Sequence, residues 1–133
     1  MYNMDVKDKF NHYLAMVEED LETARLLLDN ERILPCLFYC SLSVEKAFKA
    51  AYYTCQKPIP DSGHSLKTFA ADTCLKGSMD DALNDILKKM ENMNKNSRYP
   101  LNNEKMSFEE CKEIYRKAEV LKCWIIEQIN MRI

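Results

Sequence analysis

The sequence predicts an all-α fold, an antiparallel up-and-down four-helix bundle with one short extra helix in the crossover from helix 2 to helix 4. The 133 residues include only two glycines and four prolines, too few turn residues for a β-sandwich, a barrel or a doubly wound fold. Apolar residues recur every three or four positions over long stretches, as in amphipathic helices. A chain of this length forms one domain that buries roughly two-thirds of its surface. We therefore expect a single helical domain over residues 1–133.

The first two predicted helices are long and amphipathic. Helix 1 is predicted over Asp5–Leu28, where an apolar stripe that begins at Phe10 lies opposite an acidic face. We expect that acidic face, which includes Asp20, to be exposed to solvent. Helix 2 is predicted to begin near Pro35, because the missing N–H of proline suits a first helical turn. Its apolar stripe reaches about Cys55 and is broad enough for a central element.

Turn residues and caps delimit the other helices. A short helix 3 is predicted from Ser65 to about Cys74 and is stopped by Lys76 and Gly77. Residues 78–81 resemble a capping box with Asp in place of Glu, which predicts the start of helix 4 there.

The last part of the chain is predicted to be a loop followed by a long helix. Five asparagines and Pro100 predict a loop over residues 92–103. Ser107 and Glu110 form a full capping box, which predicts the start of the last helix. An apolar stripe continues that helix to Ile129.

The charge and the cysteine content of the chain limit the classes of function that it is expected to have. The net charge of −2 provides no overall attraction to nucleic acid or to an anionic membrane. The beginning of the chain is polar, unlike a signal peptide, and its longest apolar stretch is too short to span a bilayer. Six cysteines occur without a CxxC pair. We expect reduced, buried cysteines in a cytoplasmic protein that does not contact membranes.

The common catalytic motifs are missing from the sequence. It contains no GxxxxGK[ST] phosphate loop, no GxSxG turn, and no HExxH or ExxH metal-binding spacing. Its only histidines, His12 and His64, are far apart. We therefore predict no catalytic residue, no metal ligand and no cofactor.

The first cluster of interest lies on helix 2, within Ser43–Ala50. Glu45 and Lys49 are four residues apart in the order that favours an ion pair, and Lys46 adds a second cation. One interpretation is charge pairing on a helix surface. The other is a rigid platform of cations that binds a phosphate or a ribose.

Two further clusters lie in predicted loops. His64 precedes helix 3, where free N–H groups attract anions; alternatively, it packs to fix the turn. Arg98 and Tyr99 lie next to each other, so the guanidinium is able to bind a phosphate while the ring stacks on a base. Alternatively, Tyr99 packs on the end of the bundle and Arg98 caps helix carbonyls.

Taken in order, these motifs resemble the HEPN domain (higher eukaryotes and prokaryotes nucleotide-binding). The matching segments are Ser43–Ala50 (SVEKAFKA), His64 and Ser97–Pro100 (SRYP). The resemblance covers nearly the whole chain and implies a helical bundle that commonly forms a homodimer. It also implies a nucleotide or RNA ligand, and a separate minimal nucleotidyltransferase chain as partner in a two-component or toxin–antitoxin pair.

The resemblance leaves three functions open. Some HEPN members are metal-independent ribonucleases that carry an Arg followed four to six residues later by His, but no His follows Arg98 at that spacing. We therefore predict a non-catalytic module in which Glu45, Lys46, Lys49, His64, Arg98 and Tyr99 bind nucleotide. The alternatives are a divergent ribonuclease toxin and a structural dimeric adaptor.

Overall fold

The computed structural model describes the backbone of residues 6–55, 66–71, 73–98 and 106–132. All regular elements among these residues are helices, with no β-strand, which confirms the predicted all-α bundle. The elements are α1 (Val6–Asp29), α2 (Ile33–Cys55), α3 (Leu66–Ala71), a 3₁₀ helix (Lys76–Ser78), α4 (Asp81–Arg98) and α5 (Phe108–Arg132).

A tight turn folds α2 back against α1. Glu31 has a φ of 56°, the left-handed conformation in which helices often end. Its N–H donates to the Leu28 carbonyl at 2.9 Å, and the Arg32 N–H donates to the Leu27 carbonyl at 2.8 Å. This pair of hydrogen bonds is a Schellman motif, which satisfies the last carbonyls of α1 and reverses the chain within three residues.

α2 is the central element and contacts α1, α3, α4 and α5. The start of α5 lies beside the start of α2, where Cys111 Sγ is 4.0 Å from the Ile33 carbonyl oxygen. Further along, Lys122 of α5 donates to Glu18 of α1 at 2.9 Å. These contacts make α5 parallel to α2 and antiparallel to α1.

α4 begins near the end of α2 and runs back along it. A disulfide joins Cys55, the last residue of α2, to Cys74. Only a 3₁₀ turn separates Cys74 from the start of α4 at Asp81, and α4 packs against both α2 and α5. The chain therefore runs up and down through α1, α2, α4 and α5, as predicted, and the predicted extra helix α3 lies in the crossover.

The core lies between the apolar stripes of the helices. Its largest fully buried side chains belong to all four long helices and to the connection before α4; among them are Val17, Phe48, Tyr52, Leu75, Met90, Ile114, Leu121 and Ile125. No helix in the described part of the chain has the length and apolarity to cross a bilayer.

The start of α4 falls within residues 78–81, as predicted, but its predicted end was wrong. The cap at the start is Asp80 and not the first residue of that segment, since Asp80 Oδ1 accepts a hydrogen bond from the Leu83 N–H at 2.9 Å. At its other end α4 continues to Arg98, although residues 92–103 were predicted to be a loop. Asparagine weakens a helix only slightly, and the segment also contains good helix formers. Pro100 is the first residue that cannot continue it, and proline also disfavours the helical conformation of the residue before it.

The cysteines were predicted to be reduced and buried, and this holds for three of the six. Cys36, Cys40 and Cys111 are buried free thiols. Cys123 is free but exposed, since it lies outside the apolar stripe of α5. Cys55 and Cys74 form a disulfide because the crossover brings the end of α2 to the connection before α4.

Candidate functional site

The predicted cluster on α2 is present and mostly shielded from solvent. Glu45 and Lys49 occupy successive turns of one helix face, and Lys49 Nζ lies 3.9 Å from Glu45 Oε2. The Glu45 side chain is 20% exposed and the Lys49 side chain is 24% exposed. Screening by solvent and salt is therefore weaker than for an ion pair on the surface.

Lys46 points to the other side and forms an ion pair between helices. Its Nζ lies 2.7 Å from Asp20 Oδ2 of α1, with side chains 19% and 10% exposed. The contact is an ion pair without the alignment of a good hydrogen bond, and Asp20 Oδ2 accepts none from any described residue. Asp20 was expected on a solvated acidic face but is buried. A nucleotide bound by Lys46 would have to share this ammonium with Asp20.

A neighbouring hydrogen bond fixes the approach of the two helices at this position. The Ser43 hydroxyl, fully buried on α2, donates to the Val17 carbonyl of α1 at 3.3 Å. A small side chain is needed here because the α1 backbone lies against it. Ser43 and Lys46 thus belong to the contact between α1 and α2, whereas Glu45 and Lys49 lie beside it.

The remaining predicted site residues lie elsewhere in the chain. Arg98 is the last residue of α4, so its backbone is at the opposite end of that helix from the Cys55–Cys74 disulfide. The Arg98 side chain, Tyr99 and His64 are outside the described residues. The structure therefore brings Glu45 and Lys49 together, and their grouping with the other three residues stays a prediction.

A groove that the sequence did not reveal runs between α1 and α5. Its volume is about 370 Å³, and its lining includes Leu21, Arg25, Leu26, Tyr115 and Glu119. Arg25 lies over the Tyr115 ring, with its guanidinium carbon 5.9 Å from the ring centre. The groove combines charges of both signs. It was missed because it depends on the relative rotation of two helices that are far apart in sequence.

The electrostatics of this groove favour a neutral tyrosine and a charged lysine. Burial and the nearby Glu119 carboxylate raise the pKa of Tyr115. Burial lowers the pKa of Lys122, but its hydrogen bond to Glu18 and the surrounding negative groups raise it overall. Neither group is therefore a base near neutral pH, and Lys122 is already paired with Glu18.

Two of the buried thiols, Cys36 and Cys111, are poor nucleophiles. The hydrogen bond with Cys111 favours the Cys36 thiolate, but hydrogen bonding to Cys40 and burial outweigh it and raise the pKa of Cys36 to about 12. Its hydrogen bond with Cys36 and burial also raise the pKa of Cys111. Across the described residues, no three His, Cys, Asp or Glu side chains are arranged to hold a metal ion.

Comparison with known proteins agrees with the motifs and the bundle. The family model of the HEPN domain matches residues 11–129. None of the curated proteins compared with the chain matches it.

Proposed function

Because the chain belongs to the HEPN domain family, we propose that it is a non-catalytic nucleotide-binding module that acts as a homodimer beside a separate minimal nucleotidyltransferase chain. The ligand is a nucleotide or a short RNA. Family membership supports the general class of nucleotide-binding or ribonuclease-like helical modules. The partner and the lack of catalysis are part of the proposal.

The observation that carries this proposal is the sequence after Arg98. None of the residues that follow Arg98 as far as Lys105 is a histidine, so the Arg–His spacing of HEPN ribonucleases is missing. Cleavage of RNA without metal needs a group that gives and takes a proton near neutral pH, and histidine is the usual one. Arg98 retains the capacity to bind phosphate with a fixed, planar guanidinium.

The proposed binding residues are Glu45, Lys49, His64, Arg98 and Tyr99. Lys49 supplies a point charge for a phosphate, and Glu45 orients the Lys49 side chain through their ion pair. We assign Lys46 mainly to the contact between the helices, because its ammonium pairs with the buried Asp20 carboxylate.

Calorimetric titration of the full chain with ATP, AMP and a short RNA tests the proposal. Arg98→Ala is expected to weaken binding by about 10- to 100-fold, since a hydrogen bond to a charged group contributes about 1.5–3 kcal/mol. Lys49→Ala is expected to act in the same direction. Arg116→Ala is the matched control, because Arg116 is an exposed cation of α5, paired only within its own helix in the described structure, and should bind like the wild type.

Two results would overturn the proposal. Equally weak binding by the wild type and Arg98→Ala would remove Arg98 from the site. RNA cleavage in the presence of EDTA that is lost in Arg98→Ala would identify the chain as a divergent ribonuclease instead. The partner is tested separately, by co-expression with the nucleotidyltransferase encoded nearest to it and co-purification through a tag on either chain.

A further inference from the structure

The described part of the chain contains both free thiols and a disulfide, which are usually found in proteins of different cell compartments. Cys36, Cys40 and Cys111 are free thiols buried against one another. Cys55 and Cys74 form a disulfide, and both are only half-buried. Lasting disulfides are typical of oxidising compartments, while free thiols are typical of reducing ones. A bond that forms and breaks as conditions change accounts for both.

We propose that Cys55 and Cys74 are a reversible thiol–disulfide exchange site, reduced by a dithiol and oxidised by a small disulfide, which controls how firmly α3 and the 3₁₀ helix are held to the end of α2. The proposal is independent of the nucleotide site. The two cysteines are 19 positions apart, and the bond between them closes a loop that contains α3.

The local geometry favours one direction of exchange. The Cys74 N–H points at Cys55 Sγ, with a distance of 2.9 Å. A backbone N–H stabilises negative charge on the sulfur it faces. Cys55 is therefore the better leaving group, and the incoming thiolate attacks Cys74 Sγ.

The reaction balances as an ordinary exchange. The attacking thiolate forms a mixed disulfide with Cys74, and the bond to Cys55 breaks and leaves a Cys55 thiolate. The second thiol of the dithiol then displaces Cys74. The protein gains two electrons and two protons, and the reductant is released as a cyclic disulfide. Oxidation is the reverse, with a small disulfide as electron acceptor.

The consequence is confined to the connection between α2 and α4. Leu66, Ala70 and Leu75 are buried there, so apolar contacts hold this connection in the reduced protein too. The Thr73 hydroxyl donates to the Ala70 carbonyl at 2.8 Å, which is a local contact only. Reduction removes the one covalent link to α2 in the described part of this connection. It should let the segment open more often without unfolding α1 or α5.

To test this, the full wild-type chain is equilibrated in buffers that differ in the ratio of reduced to oxidised glutathione. A parallel series uses different ratios of reduced to oxidised dithiothreitol. Alkylation of the acid-quenched, denatured protein followed by intact mass counts free thiols. We expect four at the oxidising end and six at the reducing end, with the same transition in both directions. Cys123→Ser is the matched control; it removes the exposed free thiol and should keep the transition, with one thiol fewer in each state.

Hydrogen exchange of the oxidised and reduced wild type tests the structural consequence. Amides of residues 66–78 should exchange faster on reduction, on the order of 100-fold, and those of α1 and α5 should change little. A disulfide that resists dithiothreitol in the folded protein would make the bond purely structural and overturn the proposal. A bond that does not reform from the reduced protein, or exchange unchanged in residues 66–78, would overturn it as well.

Discussion

Replacing Lys46 with methionine tests whether the ion pair to Asp20 holds α1 against α2. Methionine keeps the apolar stem of the lysine and removes the ammonium, which leaves the Asp20 carboxylate without its cation. That side chain is only 10% exposed. Breaking a buried ion pair costs about 3–5 kcal/mol. Because this pair retains some contact with solvent, we expect the lower end, about 3 kcal/mol of the free energy of unfolding.

Substituting Asp20 alone, and together with Lys46, separates the energy of the ion pair from the effects of each single substitution on its surroundings. Asp20→Asn leaves an unpaired ammonium on a long, flexible stem that is able to reach water, so we expect a loss of about 1–2 kcal/mol. The double variant removes both charges and leaves none buried. It should be within about 1 kcal/mol of the wild type, with a coupling of at least about 2 kcal/mol.

Urea unfolding of the oxidised protein at pH 7, followed by far-UV circular dichroism, measures these values. With a slope of about 1–3 kcal/mol per molar urea, the midpoint of Lys46→Met should fall by about 1–3 M. Arg116→Met is the control, because its pair with Glu113 has side chains 67% and 47% exposed and should contribute less than about 1 kcal/mol.

The ion pair does not hold α1 against α2 if Lys46→Met loses no more stability than Arg116→Met, or if the coupling is within about 0.5 kcal/mol of zero. A Lys46→Met protein of normal stability that binds nucleotide weakly would return Lys46 to the binding site.

Three smaller predictions follow from other contacts. Raising the pH from 9 towards 12 should lower the free energy of unfolding, because the pKa of Cys36 is raised from 9.0 to about 12 in the fold. The stability that the neutral Cys36 thiol contributes is fully present below pH 9 and is lost as the thiol ionises in the folded protein. The same pH dependence of stability in Cys36→Ala and in the wild type would contradict this prediction. Ser107→Ala should cost about 1 kcal/mol in urea unfolding, since the Ser107 hydroxyl accepts from the Glu110 N–H at 3.1 Å, and no loss would refute the cap. Glu31→Gly should stabilise the protein by about 0.5–1 kcal/mol, because glycine adopts the positive φ there without strain; a lower melting temperature would disprove this.

The helices were predictable because each one carries its own periodic apolar stripe. The α5 cap at Ser107 and the end of α2 at Cys55 were predicted from neighbouring residues in the sequence alone. The end of α4 was not, because asparagine weakens a helix only slightly, so a run of asparagines is compatible with a loop or with a helix.

Contacts between helices could not be predicted from the sequence. Whether Lys46 faces solvent or Asp20 depends on the rotation of α1 against α2, and a change of one residue in register would expose both. The disulfide between Cys55 and Cys74 required the path of the crossover, since six cysteines allow many pairings. The charged residues of the candidate site were identifiable by type, but their partners were not.

The path of α4 constrains how Lys49 and Arg98 are able to share a ligand. Lys49 lies six residues before the end of α2, about 9 Å from it, and Arg98 lies about 26 Å along α4 from its start. Because α4 starts near the end of α2 and runs back along it, the two backbones are roughly 17 Å apart along the bundle axis. One phosphate cannot lie close to both backbones. A ligand bound by both within one protomer must therefore be extended, so Lys49→Ala should weaken binding of ATP or a short RNA more than binding of AMP. An equal loss for all three ligands would mean that the two cations act in different protomers or that Lys49 acts only through the fold.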